Sequence, residues 1–376
     1  MDKPRGRSLR FLPDPDRTGH ARMPSSIRQG RRVILSLQYL RALAAVGVVL
    51  FHQFQSVSPV FRVGKYGVGL FFIISGIIMV SLTEGRTIRP LNFYVDRVTR
   101  VAPMYWIATA ATFVLASVGI CTPSIYSHGI GHLLLSCLFV PSPNEHGVMM
   151  PTLFIGWTLN YEMFFYLVFG ALLLMPGRYR LPVLALIFLS LAVCGVVVPQ
   201  GGDLLRFYTS PYLLEFLAGC CLGAIFGLNL AKLRPWPTAG LVAALVGAMI
   251  GAGFVFPLLF SGAATVFLVA MLMWIERQDL MPTLPFALML GNASYSIYLF
   301  QQVAFDAAQA ALRLLHYGPG LHTVPTRCAA VILAIATGVA VYRSVESPLT
   351  KRIRRVIDGT QRASDPSGKG TAPARV

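Results

Sequence analysis

Arg41 and His52 stand eleven residues apart inside an otherwise apolar stretch, LQYLRALAAVGVVLFH. At 100° per residue this spacing falls within about 20° of whole turns. On a helix both side chains therefore share one face, about 16 Å apart along the axis. Gln38, Arg41, Ala45, Val48, His52 and Gln55 form one stripe, polar at both ends and small or apolar between. A guanidinium suits a phosphate or carboxylate. An imidazole titrating near neutrality suits proton removal from a hydroxyl. The spacing equally fits an arginine snorkelling to one membrane interface and a histidine resting in the other.

Other polar groups interrupt apolar runs. Trp157, Asn160, Tyr161 and Glu162 open one run, and Glu215 follows Pro211-Tyr212 in another. Tyr295, Tyr298, Gln302 and Asp306 recur at i, i+3, i+7 and i+11, which is one helical face. Trp157 and Tyr298 are read as substrate-binding positions. Each carboxylate taken singly also fits a structural ion pair. Several such helices in one chain imply a polar cavity, because a charge facing lipid is not tolerated. Arg97 and Arg100 lie in FYVDRVTRVAP. They fit lipid phosphates or a clamp on the phosphates of a cytoplasmic ligand.

The elements that must position these residues follow from composition. Of 376 residues, 55% are hydrophobic and 12% charged, against about 25% charged in an average soluble domain. Mean hydropathy is +0.64. The expected class is all-α, a polytopic integral membrane protein. The net charge of +17 would suggest nucleic acid in a soluble protein, but here the basic residues lie between apolar segments and at the ends. No nucleic-acid partner is expected, and membrane lipid is. Six cysteines and seven histidines show no ligand spacing, so no metal site is expected. GVGLFF at 67–72 lacks a following lysine and reads as close helix packing. No nucleophile elbow, Walker loop or HExxH occurs.

About 20 apolar residues span a bilayer. Ten spans are expected: 34–56, 66–83, 101–119, 153–175, 181–198, 210–229, 237–255, 257–275, 290–312 and 325–345. Residues 88–100 are expected on the membrane surface as an amphipathic segment, and 129–140 are too short to cross. With the N-terminus inside, and leaving aside Arg41, the Lys and Arg of the intervening segments and span ends divide 26 inside to 5 outside. That supports both termini in the cytoplasm. Residues 1–32 and 351–376 are expected to be disordered basic tails flanking a membrane domain at 33–350. The first of these has no apolar core, so no removable signal peptide is expected.

These residues resemble a known family. LQYLRALAAVGVVLFH (37–52) resembles the opening helix of the membrane acyltransferase-3 family. VGVGLFFIISGIIMV (66–80) resembles its second helix, FYVDRVTRVAPMYW (93–106) its Arg-rich segment, and WTLNYEMFFYL (157–167) its Trp-Glu-Tyr block. FYTSPYLLEFLAGCCLG (207–223), GNASYSIYLFQ (291–301) and YRSVESPLT (342–350) also resemble family blocks, in order. The branch most similar modifies exopolysaccharide and other surface glycans. Where the family often carries a histidine after SYSIYL, this chain has Gln301.

The resemblance implies O-acyl transfer, usually of acetyl, from acyl-CoA to a glycan hydroxyl. Acyl-CoA is then a co-substrate, and no bound cofactor is expected. The resemblance makes Arg41 and His52 the functional pair, Glu162 an acid of the same site, and Arg41, Arg97 and Arg100 the holders of the CoA phosphates. His52 would take the proton of the attacking hydroxyl, or carry the acyl group itself, with Glu162 orienting it if the fold brings the two together. The implied partners are a saccharide or lipid-linked saccharide and polysaccharide assembly machinery, at the bacterial inner membrane. The alternative from another class is a transporter or flippase of a polar or lipid-linked solute, with the same polar groups lining its path.

Overall fold

A computed structural model describes residues 34–120, 129–144, 147–198, 202–227, 257–316, 318 and 320–364. Among these the chain is helical, with a lone bridge between Pro143 and Met149 as the only β pairing. Helix α1 (Leu35–Phe54) leads through a 3-10 segment at Pro59–Tyr66 into α2 (Gly67–Thr83). Then come α3 (Pro90–Ser117), the short α4 (Ile130–Cys137), α5 (Trp157–Leu172) and α6 (Gly177–Val197). They are followed by α7 (Asp203–Tyr208), α8 (Tyr212–Gly227), α9 (Pro257–Arg277), α10 (Pro285–Leu314) and α11 (Val324–Val341). A π-helical turn at Tyr342–Glu346 joins α11 to α12 (Ser347–Ser364).

The starts of these helices are written locally. Pro90, Pro285 and Pro325 lie at first-turn positions of α3, α10 and α11, where a missing N–H costs nothing. The start of α1 is capped from far away. Glu276, at the end of α9, accepts from Leu35 N (2.6 Å), Ser36 N (3.1 Å) and Ser36 Oγ (2.5 Å). A carboxylate there satisfies orphan donors and complements the helix dipole. Tyr39 on α1 adds a second tie to the stretch that follows, donating to Pro282 O at 2.6 Å and accepting from Leu284 N at 2.7 Å.

Small residues set the packing. Helices α2 and α8 run parallel and so close that a methyl group on Gly219 would overlap the Ile73 carbonyl, and one on Gly76 the Phe216 carbonyl. This is the small-residue contact expected between apolar helices. Beside it Phe72 stacks on Phe216 (4.3 Å), and Phe216 on Phe165 (4.5 Å). Helices α1 and α10 also run parallel. Gly291 meets the Gln38 carbonyl, Ser294 meets Arg41, and Gln301 meets His52. Helix α9 runs against α1, with its end at the start of α1. It runs with α8, since Arg277 lies over the Phe226 ring at 4.8 Å.

Nine of the ten expected spans fall on helices; 237–255 lies outside the described residues. Among the described residues, six helical stretches are by length and composition able to cross a membrane: Leu35–Phe54, Pro59–Thr83, Pro90–Ser117, Gly177–Val197, Asp203–Gly227 and Val324–Ile357. Helix α5 is shorter, at 16 residues, and α10 carries Gln301, Gln302, Asp306 and Arg313.

Two expectations are corrected. Residues 88–100 are not a separate surface segment, because α3 runs unbroken from Pro90 through Pro103 to Ser117. Its first half is held by Phe93, buried against Tyr166 and Phe169. A proline removes one backbone bond without ending a helix that packing sustains. Disorder is expected from 351, yet α12 continues to Ser364. Its basic residues share one face, the pattern of an interfacial helix. Residues 1–33 and 365–376 lie outside the described residues.

Candidate active site

Polar groups gather at two levels along α1. The first surrounds Arg41. Its Nε donates to Ser294 Oγ on α10 at 3.1 Å, and Arg100, Glu346, Glu162 and Tyr166 lie within electrostatic reach of its guanidinium. Glu162 on α5 accepts from Ser75 Oγ of α2 (2.8 Å) and from Tyr166 OH (2.5 Å). Glu346, in the π-helical turn, accepts from Ser296 Oγ at 2.6 Å. A π turn inside a helical run often marks a functional position. Here it brings the one acid of YRSVESPLT to the arginines. Arg97 joins from α3, close to Arg100, Asp96 and Glu162.

Among the described residues, six buried polar atoms on α1, α3 and α5 lack hydrogen-bond partners: Gln38 Oε1, Arg97 Nε, Tyr105 OH, Thr109 Oγ1, Thr112 Oγ1 and Asn160 Oδ1. Buried polar groups are nearly always satisfied, so the orphan Arg97 Nε within the charged cluster points to a donor that a ligand completes. A planar guanidinium with spare donors is matched to phosphate oxygens.

The second level surrounds His52, half-buried near the other end of α1. Gln301 of α10, fully buried, donates from Nε2 to the Tyr298 carbonyl at 3.0 Å. That fixes the amide orientation and turns Oε1 towards His52 Nδ1, at 3.2 Å. An amide oxygen only accepts. The imidazole proton of the neutral ring therefore sits on Nδ1, and Nε2 keeps its lone pair for a substrate proton. Phe154 meets the ring edge-on, with centroids 6.3 Å apart.

His52 opens into a cavity of about 530 Å³, also lined by Gln53, Phe154, Gln302, Asp306, Arg313 and Arg327. Such a volume lies within the range of small-molecule sites. Gln302 Nε2 donates to Asp306 Oδ1 at 3.3 Å. Arg327 Nη1 donates to the Gln53 carbonyl and to Ser56 Oγ, closing the last turn of α1.

Of the predicted residues, Arg41, Arg97, Arg100 and Glu162 are brought together. Glu162 is not beside His52. Its hydroxyl partners and neighbouring charges place it with Arg41, because it lies more than a turn into α5 from Trp157, beyond the Phe154 end that meets the imidazole. Trp157 packs on Tyr161 and Tyr212. The Tyr298 hydroxyl donates to Ile155 O at 3.1 Å and lies 2.9 Å from Thr158 Oγ1. Neither residue lines the cavity at His52. The sequence marked Gln301 only as a departure from a pattern, and it left Glu346, Ser294, Arg313 and Arg327 unmarked. A lone carboxylate or amide inside an apolar run was the available signal.

The profile of a family described as an acyltransferase domain matches residues 34–343. The exopolysaccharide production protein ExoZ of Rhizobium meliloti (strain 1021) is 37% identical over 322 residues, 83% of this chain and 98% of that protein. The peptidoglycan O-acetyltransferase OatA of Listeria monocytogenes (serovar 1/2a) is 25% identical over 231 residues, 55% of this chain and 36% of that protein. No solved structure matches the chain.

Proposed function

Since the chain belongs to the acyltransferase-3 family, we propose that it is an integral membrane O-acyltransferase. It moves an acyl group, acetyl in the first instance, from acyl-CoA to a hydroxyl of an exported saccharide. One observation carries this reading. A phosphate-matched cluster at Arg41 and a tautomer-fixed base at His52 lie on one face of one helix, about 16 Å apart, and α10 supplies a partner at each level. A donor with phosphates at one end and a thioester at the other fits that separation.

In this mechanism Arg41, Arg97 and Arg100 hold the CoA phosphates, while Glu162 and Glu346 order the guanidiniums. The acceptor hydroxyl lies against His52 Nε2. That nitrogen takes the hydroxyl proton as the oxygen attacks the thioester carbonyl, the C–S bond breaks, and CoA leaves as the thiol once the proton is returned. Gln301 holds a proton on Nδ1 throughout, so that Nε2 is the nitrogen that takes and then returns the hydroxyl proton.

The N-terminus lies in the cytoplasm, and ten helices span the inner membrane. Two facts support this: the 26-to-5 division of Lys and Arg, and the parallel pairings α1 with α10 and α2 with α8. In a ten-span alternation those are odd with odd and even with even. The arginine cluster then faces cytoplasmic acyl-CoA, and the His52 cavity faces outward, where polysaccharide assembly machinery would present a free or lipid-linked saccharide.

The test uses purified protein in vesicles with acetyl-CoA labelled in the acetyl group. Wild type should release CoA and label a saccharide acceptor, and His52→Ala should do neither. Movement of a saccharide across the vesicle without CoA release would replace acyl transfer with transport.

A further inference from the structure

The cavity at His52 has a charge that hydroxyl binding does not require. Asp306, Gln302 and Gln53 supply acceptors and amides of the kind that hold sugar hydroxyls, and Phe154 and Phe305 offer apolar ring faces. Beside them stand two guanidiniums, Arg313 and Arg327. Arg327 is engaged with the end of α1 through Nη1, while its Nε is buried without a hydrogen-bond partner. Arg313 is exposed at the last turn of α10 and has no hydrogen-bond or ion-pair partner among the described residues. A neutral sugar would leave one of these charges uncompensated at the mouth of the cavity, and a ligand anion would pair with it.

We propose that this cavity selects an acidic saccharide, with Arg313, about three turns of α10 beyond the Gln301 that faces His52, pairing to an anion on the acceptor at the mouth of the cavity. The proposal rests on the acyl-transfer reading for the role of His52, but not for binding. The anion has two chemical sources: a carboxylate on the glycan, or the diphosphate that links a glycan to a lipid carrier.

Binding and turnover are measured separately on the full chain in nanodiscs. Binding uses His52→Ala protein with three probes: a uronic-acid oligosaccharide, the same oligosaccharide after carboxyl reduction, and that reduced oligosaccharide on a lipid diphosphate. Binding of at least one anionic probe should exceed that of the reduced, unlinked sugar by roughly 10- to 100-fold, the worth of one charge-assisted hydrogen bond. Arg313→Gln should abolish the difference without weakening the neutral sugar, which also shows that the variant is folded. Arg313→Lys should keep most of it. Preference for the uronic acid assigns the anion to the glycan, and preference only for the diphosphate assigns it to the carrier. Equal binding of all three probes, or an equal loss for all three in Arg313→Gln, overturns the proposal. Turnover by wild type is read in parallel. Anion-selective binding with no CoA release leaves the proposal standing while removing acyl transfer.

Discussion

Replacing Gln301 by leucine removes two hydrogen bonds, and only one of them concerns chemistry. The bond to the Tyr298 carbonyl (3.0 Å) orients the amide, and the contact with His52 Nδ1 (3.2 Å) fixes the tautomer. Leucine fills similar space but releases the imidazole, which then divides between a state with a free Nε2 lone pair and one without. Leaving the Nδ1–H without its acceptor while charge develops on the imidazole costs about 1–3 kcal/mol. With about 1.4 kcal/mol per tenfold change, kcat/KM for the acceptor should fall roughly 5- to 150-fold. The KM for acyl-CoA should not move, because the proposed mechanism seats its phosphates at the level of Arg41, away from Gln301. Gln301→Glu keeps an acceptor opposite Nδ1 and should recover most of the activity. The assay is CoA thiol release at saturating acetyl-CoA with varied acceptor. The double variant His52→Ala/Gln301→Leu should be no worse than His52→Ala alone. A leucine variant within twofold of wild type, or one impaired in acyl-CoA KM instead, would refute the tautomer argument.

Three further expectations follow from the same geometry. Arg41→Ala should raise the KM for acetyl-CoA while the acceptor KM stays within about twofold, since one charge-assisted contact to phosphate is worth about 1.5–3 kcal/mol; steady-state kinetics with each substrate varied decides it. Glu276→Ala leaves three donors at the start of α1 without their cap and should lower unfolding stability in detergent by about 1–2 kcal/mol, while Glu276→Gln should lose less. In a cysteine-free background, an impermeant thiol reagent should label a cysteine at Arg313 from outside the cell and one at Lys351 only after the membrane is opened; the reverse pattern would invert the topology.

The polar stripe on α1 was legible because Arg41 and His52 lie on one helix, where spacing alone fixes the face. Glu162 was not. Its depth relative to α1 depends on how far α5 slides past α2, and the Ser75 contact that settles this joins positions 87 apart in sequence. Gln301 and Glu346 shared that difficulty. Each becomes meaningful only once α10 and the π-helical turn are packed beside α1. The continuity of α3 was hidden by the change from a basic amphipathic stretch, 88–100, to an apolar one, 101–119, which the burial of Phe93 and Tyr105 holds together as one helix. The nine helices that fell where hydropathy put them did so because a run of apolar residues in lipid has little choice but to close its own backbone bonds.

The parallel pairing of α1 with α10 makes a molecular gauge. Ser294 and Gln301 are seven residues apart, within about 20° of two full turns, as Arg41 and His52 are within about 20° of three. The two intervals differ in rise, about 10 Å on α10 against about 16 Å on α1, yet each keeps both of its polar groups on one face, so each helix serves both levels. One residue inserted between Ser294 and Gln301 would swing Gln301 by 100° away from His52 while Ser294 stayed on Arg41. Chain length in this short interval is therefore constrained as tightly as the identity of any side chain, and a change of length there would uncouple the two levels without disturbing either one.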